Sequence, residues 1–422
     1  MSSILTNNSA MVALQTLKGI NKNLAMTQNE ISTGKSIATA KDDSALWSIA
    51  QTMQSDVDGF AAISGSLALG SSTVAVARDA SESITTLLGD IKEKIVAAQE
   101  ENVDRDKIQS DIEALRGQVV SIFNAAQFNG QNLLQNTSAT SGSGTMQVLS
   151  SLDRDSNQVV SSRDITVQKQ DLGTGDSTAG TTASTDYTAT AAGTPAADGG
   201  TGSYTLALGT GVTEVAALTS FELDLSSFDT ASVTSTASVQ YVAREGDTLV
   251  DVAAGLAAAA NFTLAGEGNT DIVLSAASGT AAGSAVITVT NNSGDAVAAA
   301  LANADITITS DGNIGGGLEL LGDIDVSTSN GASAALSAIE YLTQRSIDAA
   351  AEFGSIQGRL EIQADFISRL SDNLKSGIGA LVDADMEEAS ARLQALQVQQ
   401  QLGIQSLSIA NQAPQNILSL FR

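Results

Sequence analysis

Ala10, Leu14, Leu17, Asn21, Leu24, Gln28 and Ile31 follow one another at alternating spacings of four and three. That heptad pattern predicts a helix with one seam to bury, and it admits two polar residues, Asn21 and Gln28. Phe60, Leu67 and Val74 keep a seven-residue repeat. Ile84, Leu88, Ile91, Ile95 and Ala98 restore the 4/3 spacing, and Ile108, Ile112, Leu115, Val119 and Ile122 do so again. Toward the other end, Leu360, Ala364, Ile367, Leu370 and Leu374 form one stripe. Met386, Ala389, Leu393 and Leu396 form another, which fades at Gln400 and Gly403 and resumes at Leu407 and Ala410. Pro414 is the single proline in either terminal region, so nothing breaks these helices early.

The pattern changes at a few short stretches. Ser32-Thr33-Gly34-Lys35 and Lys41-Asp42-Asp43-Ser44 flank an irregular segment. Asn102 to Arg105 reads as a helix–helix turn with Asp104 as N-cap, and Asn129-Gly130 as a turn. Asp383 or Asp385 is expected to cap the last helix. Between the helical ends the 4/3 spacing disappears. Tyr204–Leu208 and Ala285–Thr290 alternate as strands do, Asp271–Leu274 is a third candidate, and Thr248–Leu256 reads as one short helix. The middle is rich in Thr, Ser, Ala and Gly, as in GTGDSTAGTTASTDYTATAAGT, and reads as β-rich with loose loops. The expected fold is α+β, a long antiparallel helical bundle or coiled coil formed by both termini, with a β-rich insert, one domain or two, at its tip.

Charge sharpens this division. Residues 135–325 carry 4 basic against 22 acidic side chains, so −18 of the chain's −27 lies in the middle. The acidic balance argues against a nucleic-acid partner, which needs a basic face. The 422 residues include no cysteine and no histidine. Disulfides, thiolate chemistry, the commonest general base and the commonest transition-metal ligand are therefore all absent, which argues against an enzyme, a metal site or a cofactor. No basic segment leads into an apolar one at the N-terminus, so no cleaved signal peptide is expected. No run of about 18 apolar residues is evident, so no membrane insertion is expected either.

Few motifs suggest chemistry. Gly34-Lys35-Ser36 looks like the end of a phosphate-binding loop, but Asn29 stands where that loop needs a glycine, so a surface turn is expected. Asp42-Asp43, Asp383 with Asp385, and Glu387-Glu388 read as caps and solvated faces rather than a cation site. The lone Trp47 reads as a packing residue. The Ser/Thr-rich middle fits O-linked sugars and an undecorated polar surface equally well. The outermost helices, 1–31 and 386–422, form only a pair if left alone. Val398, Leu402 and Ile409 point away from their seam, so burial against other copies of the chain is expected.

At its two ends the sequence resembles the bacterial flagellins. The N-terminal NNSAMVALQTLKGINKNLAMTQNEISTGKSIATAKDDSALWSIAQTM, the FNGQNLL of Phe128–Leu134, and LQALQVQQQLGIQSLSIANQAPQNILSLFR carry the likeness, in family order, over roughly 1–134 and 330–422. Glu30-Ile31 departs from the arginine-leucine usual there. In TTLLGDIKEKIVAA, Asp90 and Lys92 stand where many flagellins have two arginines, in a run that a vertebrate innate-immune receptor recognises. The sign reversal at Asp90 argues against that recognition. The resemblance implies a subunit of an extracellular filament, exported unfolded through a type III channel without a cleaved signal. It implies inner filament helices from 1–43 plus 384–422, a helical shell from 44–145 plus 325–383, and a solvent-facing insert, 146–324. The partners it implies are further copies of the chain, an export chaperone, and cap and hook-associated proteins. A hook–filament junction protein and a surface adhesin acting through the insert are the alternatives.

The subunit interface expected on these grounds comprises Leu14, Leu17, Asn21, Leu24, Gln28, Ile31, Leu393, Leu396, Val398, Leu402, Leu407, Ile417, Leu418, Leu420 and Phe421. The closing ANQAPQNILSLFR places the last four of these where a soluble monomer would have a polar, frayed tail. Truncation after Gln412 should leave the chain soluble and unable to polymerise, as read by sedimentation; normal assembly of the truncated chain would refute this assignment.

Overall fold

The computed structural model describes residues 7–420 except 139, 141, 156–158, 230–234, 236, 298 and 299, with side chains after 412 left out. Among the described residues, six α-helices and ten strands follow one another. Helices α1 (Asn8–Thr33), α2 (Ser44–Ala98) and α3 (Arg105–Ala125) come first. Strands β1 (Thr145–Arg154), β2 (Val160–Gln168), β3 (Thr182–Ala183), β4 (Tyr187–Ala192), β5 (Gly200–Leu208), β6 (Ser220–Asp224) and β7 (Ser238–Val242) follow. Then come α4 (Leu249–Gly266), β8 (Ile272–Ser278), β9 (Ala285–Asn291), β10 (Ile306–Ser310), α5 (Ser329–Val382) and α6 (Met386–Leu420). The chain divides into two compact units: 1–65 with 154–159 and 365–422, and 66–153 with 160–364.

In the larger unit the expected helical spacing becomes a core. Ile84, Leu88, Ile91, Ile95 and Ala98 on α2 are all fully buried. On α5, Leu342, Ser346, Ala349, Phe353, Ile356 and Leu360 are buried at the same 4/3 rhythm. The hydroxyl of Ser346 is satisfied inside this contact: Thr85 Oγ1 lies 2.9 Å away and the Ser81 carbonyl accepts at 3.2 Å. Asp104 caps α3 by accepting from Lys107 N, and Arg105 donates to the carbonyl of Ala98 at 2.9 Å, closing the turn. Asn129 and Gly130 both take positive φ in a tight turn closed between Phe128 and Gln131. Strands β1 and β2 pair with each other, and Gln363 of α5 donates to the Ser150 carbonyl of β1.

The remaining strands make two four-stranded antiparallel sheets, ordered β4-β5-β9-β8 and β3-β10-β6-β7. Register sets Tyr204 opposite Ile287 and Phe221 opposite Tyr241. All three expected strands and the expected helix are present, although α4 runs on to Gly266. The Thr/Ser/Ala-rich stretch before β5 contributes strands β3 and β4, which the sequence pattern did not single out. Both sheets and α4 share one hydrophobic core. One edge-to-face aromatic pair joins the sheets, Tyr187–Phe221 at 5.4 Å, and a second sets Tyr204 of β5 against Phe228 in the short helical turn after β6, at 6.4 Å.

The membrane expectation also needs amending. Helices α2 and α4 both contain a window long and apolar enough to cross a bilayer. The apolar side chains of α4 face protein, with Leu249, Val252, Leu256 and Leu264 all buried in the sheet core.

A buried ionic cluster ties the insert to α5. Arg244 donates to Asp171 at 2.9 Å, to the Tyr241 hydroxyl at 2.8 Å and to the Gly315 carbonyl at 3.0 Å. Tyr241 in turn donates to Asp247 at 2.7 Å, and Arg345 of α5 reaches the Asp171 carbonyl. Burial raises the Asp247 carboxyl above its ordinary range, partly offset by Arg244 and Arg345. Burial opposes the charge of Arg244, but Tyr241, Asp171 and Asp247 outweigh it and hold that guanidinium above its usual value. Arg244→Met should cost about 3–5 kcal/mol of stability in chemical denaturation, because Asp171 loses its direct cation and Asp247 keeps only Arg345 to offset its burial. Adding Asp171→Asn should recover part of that loss.

Candidate assembly interface

Helices α1 and α6 lie side by side in the smaller unit. Asn7 caps α1 by accepting from Ala10 N, and its Nδ2 donates to the Ala410 carbonyl at 2.8 Å. The first turn of α1 is therefore level with Ala410, and the helices run antiparallel. Gln400 Nε2 donates to Asn21 Oδ1 at 2.8 Å further along. At the other end Gly34 closes α1 in a left-handed conformation at φ 69°, which glycine adopts without strain. Ser36 N then donates to the Val382 carbonyl and Ala384 N to that of Gly34, so Lys35 and Asp383 form an antiparallel bridge. The Gly34-Lys35-Ser36 stretch is thus a structural crossing between helices. Beyond it, Asp43 Oδ1 accepts from Ala45 N and Leu46 N, and Asp385 Oδ1 from Glu387 N and Glu388 N. Of the two candidates, Asp385 is the cap of the last helix. Hydrogen bonds from Thr39 hold the Asp42 carboxyl below its ordinary value. Among the described residues no group of three acidic side chains is placed to hold a metal ion.

The seam of α6 follows the expected spacing: Ala389, Leu393, Leu396, Gln400, Gly403, Leu407 and Ala410 are its buried or half-buried positions. Met386, expected in the same stripe, is exposed. On α1 the register differs by one residue at alternate positions. The inward residues are Ala10, Ala13, Leu17, Ile20, Leu24, Thr27 and Ile31, while Leu14, Asn21 and Gln28 are exposed beside the seam. Ile20 displaces Asn21 because an apolar side chain loses less on leaving water. Ala13 fits because the helices approach closely. That closeness depends on Gly403, where an added Cβ would stand 3.2 Å from Leu17 Cδ1.

This seam is shallow. Of the 26 residues in α1 only Thr27 is buried, and among the described side chains of α6 only Ala389 and Leu396 are. Val398, Leu402 and Ile409 face away from it as expected, and Leu402 is 58% and Ile409 69% exposed. Four further exposed apolar residues, Met11, Val12, Met26 and Ile404, belong to the same two helices and escaped the sequence reading. Their signal was present: each is a large apolar residue outside both possible seam registers. Of the expected interface residues, Leu17, Leu24, Ile31, Leu393, Leu396 and Leu407 are thus spent inside the pair. Leu14, Gln28, Val398 and Leu402 remain available outside it, while Asn21 is exposed but bonded across the pair to Gln400. The side chains of Ile417, Leu418 and Leu420, and all of Phe421, lie outside the described residues. An uncharged groove of about 820 Å³ runs between the helices near the start of α1. Val12, Ala13 and Thr16 line it from one side and Leu402, Gly403 and Ser406 from the other.

Curated relatives match this sequence along the whole chain. A model of the bacterial flagellin N-terminal helical region matches residues 4–139, and one of the bacterial flagellin C-terminal helical region matches 336–421. Flagellin A of Rhizobium meliloti is 36% identical over 426 residues, covering 100% of both chains. A flagellin of Brucella melitensis biotype 1 is 30% identical over 423 residues, again covering 100% of both. Among solved structures, FliC from Burkholderia pseudomallei is matched at 17% identity over 69% of this chain and 99% of that one, with a TM-score of 0.29. With both terminal helical regions matched and full-length relatives above 30% identity, the chain belongs to the bacterial flagellin family.

Proposed function

We propose that this flagellin builds the flagellar filament through α1 and α6, whose exposed apolar side chains are buried by neighbouring subunits. The observation that carries this is the shallow seam: long helices rich in Leu, Ile, Val and Met bury almost nothing within their own chain. Covering one Val, Leu or Ile fully is worth about 1.5–3 kcal/mol, so a few such contacts per subunit suffice for a stable polymer. Contacts that repeat head to tail without closing give a filament.

The layers follow from the same logic. Segments 1–43 and 384–422 form the inner helices, 44–145 and 325–383 the shell, and 146–324 the outward insert. The acidic excess of the middle segment then sits where subunits are farthest apart, and repulsion falls with distance. Export proceeds without a cleaved signal through the flagellar type III channel, which suits a chain free of disulfides. An export chaperone covers α6 before assembly, and cap and hook-associated proteins meet the same terminal helices. The exposed serines and threonines of the insert are the places for O-linked sugars.

Leu402→Glu with Ile409→Glu tests the reading, because both side chains are exposed in the subunit and neither lies in the seam. The double variant should keep the helical circular dichroism of the subunit and fail to form filaments in negative-stain micrographs. Filaments of ordinary length from that variant would refute it.

A further inference from the structure

Seven of the thirteen residues from 124 to 136 are Asn or Gln, more hydrogen-bonding side chains than one turn needs. The end of α3 and the Asn129–Gly130 turn gather them around one concavity of about 360 Å³. Asn124, Gln127, Gln131 and Gln135 line it, and among the described residues their side chains have no hydrogen-bond partner within the chain. Lys169, just after β2, lines the same space, and its ammonium forms no ion pair among the described residues. Asn136 is also in the lining and is only 4% exposed. Its Nδ2 donates to the Glu245 carbonyl at 2.9 Å, while its Oδ1 is buried with no partner. Among the described residues no apolar and no acidic side chain lines the concavity, although the chain carries a net charge of −27.

We infer that this concavity is a binding site for a neutral sugar. A carboxamide both donates and accepts hydrogen bonds, and so does a hydroxyl. Several free carboxamides with no apolar wall therefore match a ligand that carries hydroxyls on every side. A nucleobase or an apolar side chain needs an apolar or aromatic surface to lie against, and the lining offers none. A cation finds no carboxylate there, and an anion is opposed by the acidic excess of the chain. Lys169 supplies a donor for a ring or hydroxyl oxygen. A buried acceptor without a partner is destabilising, and a sugar hydroxyl seated beside Asn136 supplies the donor its Oδ1 lacks. The volume lies at the lower end of the roughly 300–1,000 Å³ of small-molecule sites. All the lining residues belong to the larger unit, so the site does not rest on the filament reading. Hydrogen bonds exchanged with water gain little each, so a single site binds weakly. Many copies side by side bind a polysaccharide more firmly than one.

Saturation-transfer NMR on the full-length subunit reads such weak contacts. The protein is made in a host that attaches no sugars, so that none competes. The probes are neutral trisaccharides of glucose, of galactose and of mannose, with a galacturonate trisaccharide for comparison. At least one neutral probe should receive saturation, and the acidic probe several-fold less. Gln131→Ala with Gln135→Ala should reduce the neutral signal several-fold and leave the circular dichroism unchanged, because both side chains are exposed and without partners in the chain. Lys169→Gln should reduce it as well, and decides the question alone where the double variant fails to fold. Gln51→Ala, at an exposed position of α2 outside the concavity, should change nothing. The inference is overturned by a parent chain that saturates no neutral probe, or by a signal that survives the pocket variants. It is overturned equally by a loss as large in Gln51→Ala, or by a stronger response from the galacturonate probe.

Discussion

Two paired helices have one seam. Whatever apolar residues they carry elsewhere stay wet until something else covers them, and this geometric constraint governs the terminal part of the chain. Helices α2 and α5 escape it, because in the larger unit α3 and the β elements surround them and their seam residues reach zero exposure. Helices α1 and α6 do not: their seam is filled by Ala13, Gly403 and Gln400 as much as by leucine, and their larger apolar residues look outward. A short, shallow contact of this kind adds little stability to helices that are themselves only marginally stable in water. The terminal helices thus keep apolar surface exposed, the surface proposed above to be covered by neighbours, while α2 and α5 bury their seams within the larger unit.

That division suits a subunit that must travel alone before it polymerises. The larger unit has an aromatic bridge between its sheets and a buried cluster of Asp171, Arg244, Tyr241 and Asp247 that closes against Arg345 of α5. Those contacts hold the sheets together and tie them to α5 within the single chain. The polar crossing at Gly34–Ser36 and Val382–Ala384 ties the two chain segments that lead into the terminal helices, using backbone hydrogen bonds rather than a core. Interfaces that must form late are left apolar and uncharged, and the acidic excess is kept in the middle segment.

Most of the helical architecture was legible in the sequence, because a 4/3 spacing over twenty or more residues fits one face of a helix and no strand. The α1 seam was misplaced by one residue at alternate positions because Leu14 is larger than Ala13, and size alone does not reveal how closely two helices approach. Gly403 held that information, but only against Leu17 of the partner helix. The insert was read less well. Strand β4, Tyr-Thr-Ala-Thr-Ala-Ala, has small side chains that look like loop until Tyr187 is seen against Phe221 of another sheet. Strands β6, β7 and β10 are five residues each and gain their strand character from pairing across the fold. The ionic cluster was invisible because Asp171, Arg244 and Arg345 are far apart in sequence. At the interface the outward-facing Val398, Leu402 and Ile409 were legible from periodicity, whereas Met11, Val12, Met26 and Ile404 were hidden by attention to the seam.

The dependence of the terminal helices on neighbours is measured most directly by amide hydrogen exchange on the subunit before and after polymerisation. Amides of 8–33 and 386–412 should exchange rapidly in the free subunit and slow by at least about tenfold in the filament, while those of 84–98 and 339–360 are protected in both. Equal and strong protection of α1 and α6 in the free subunit would contradict the account.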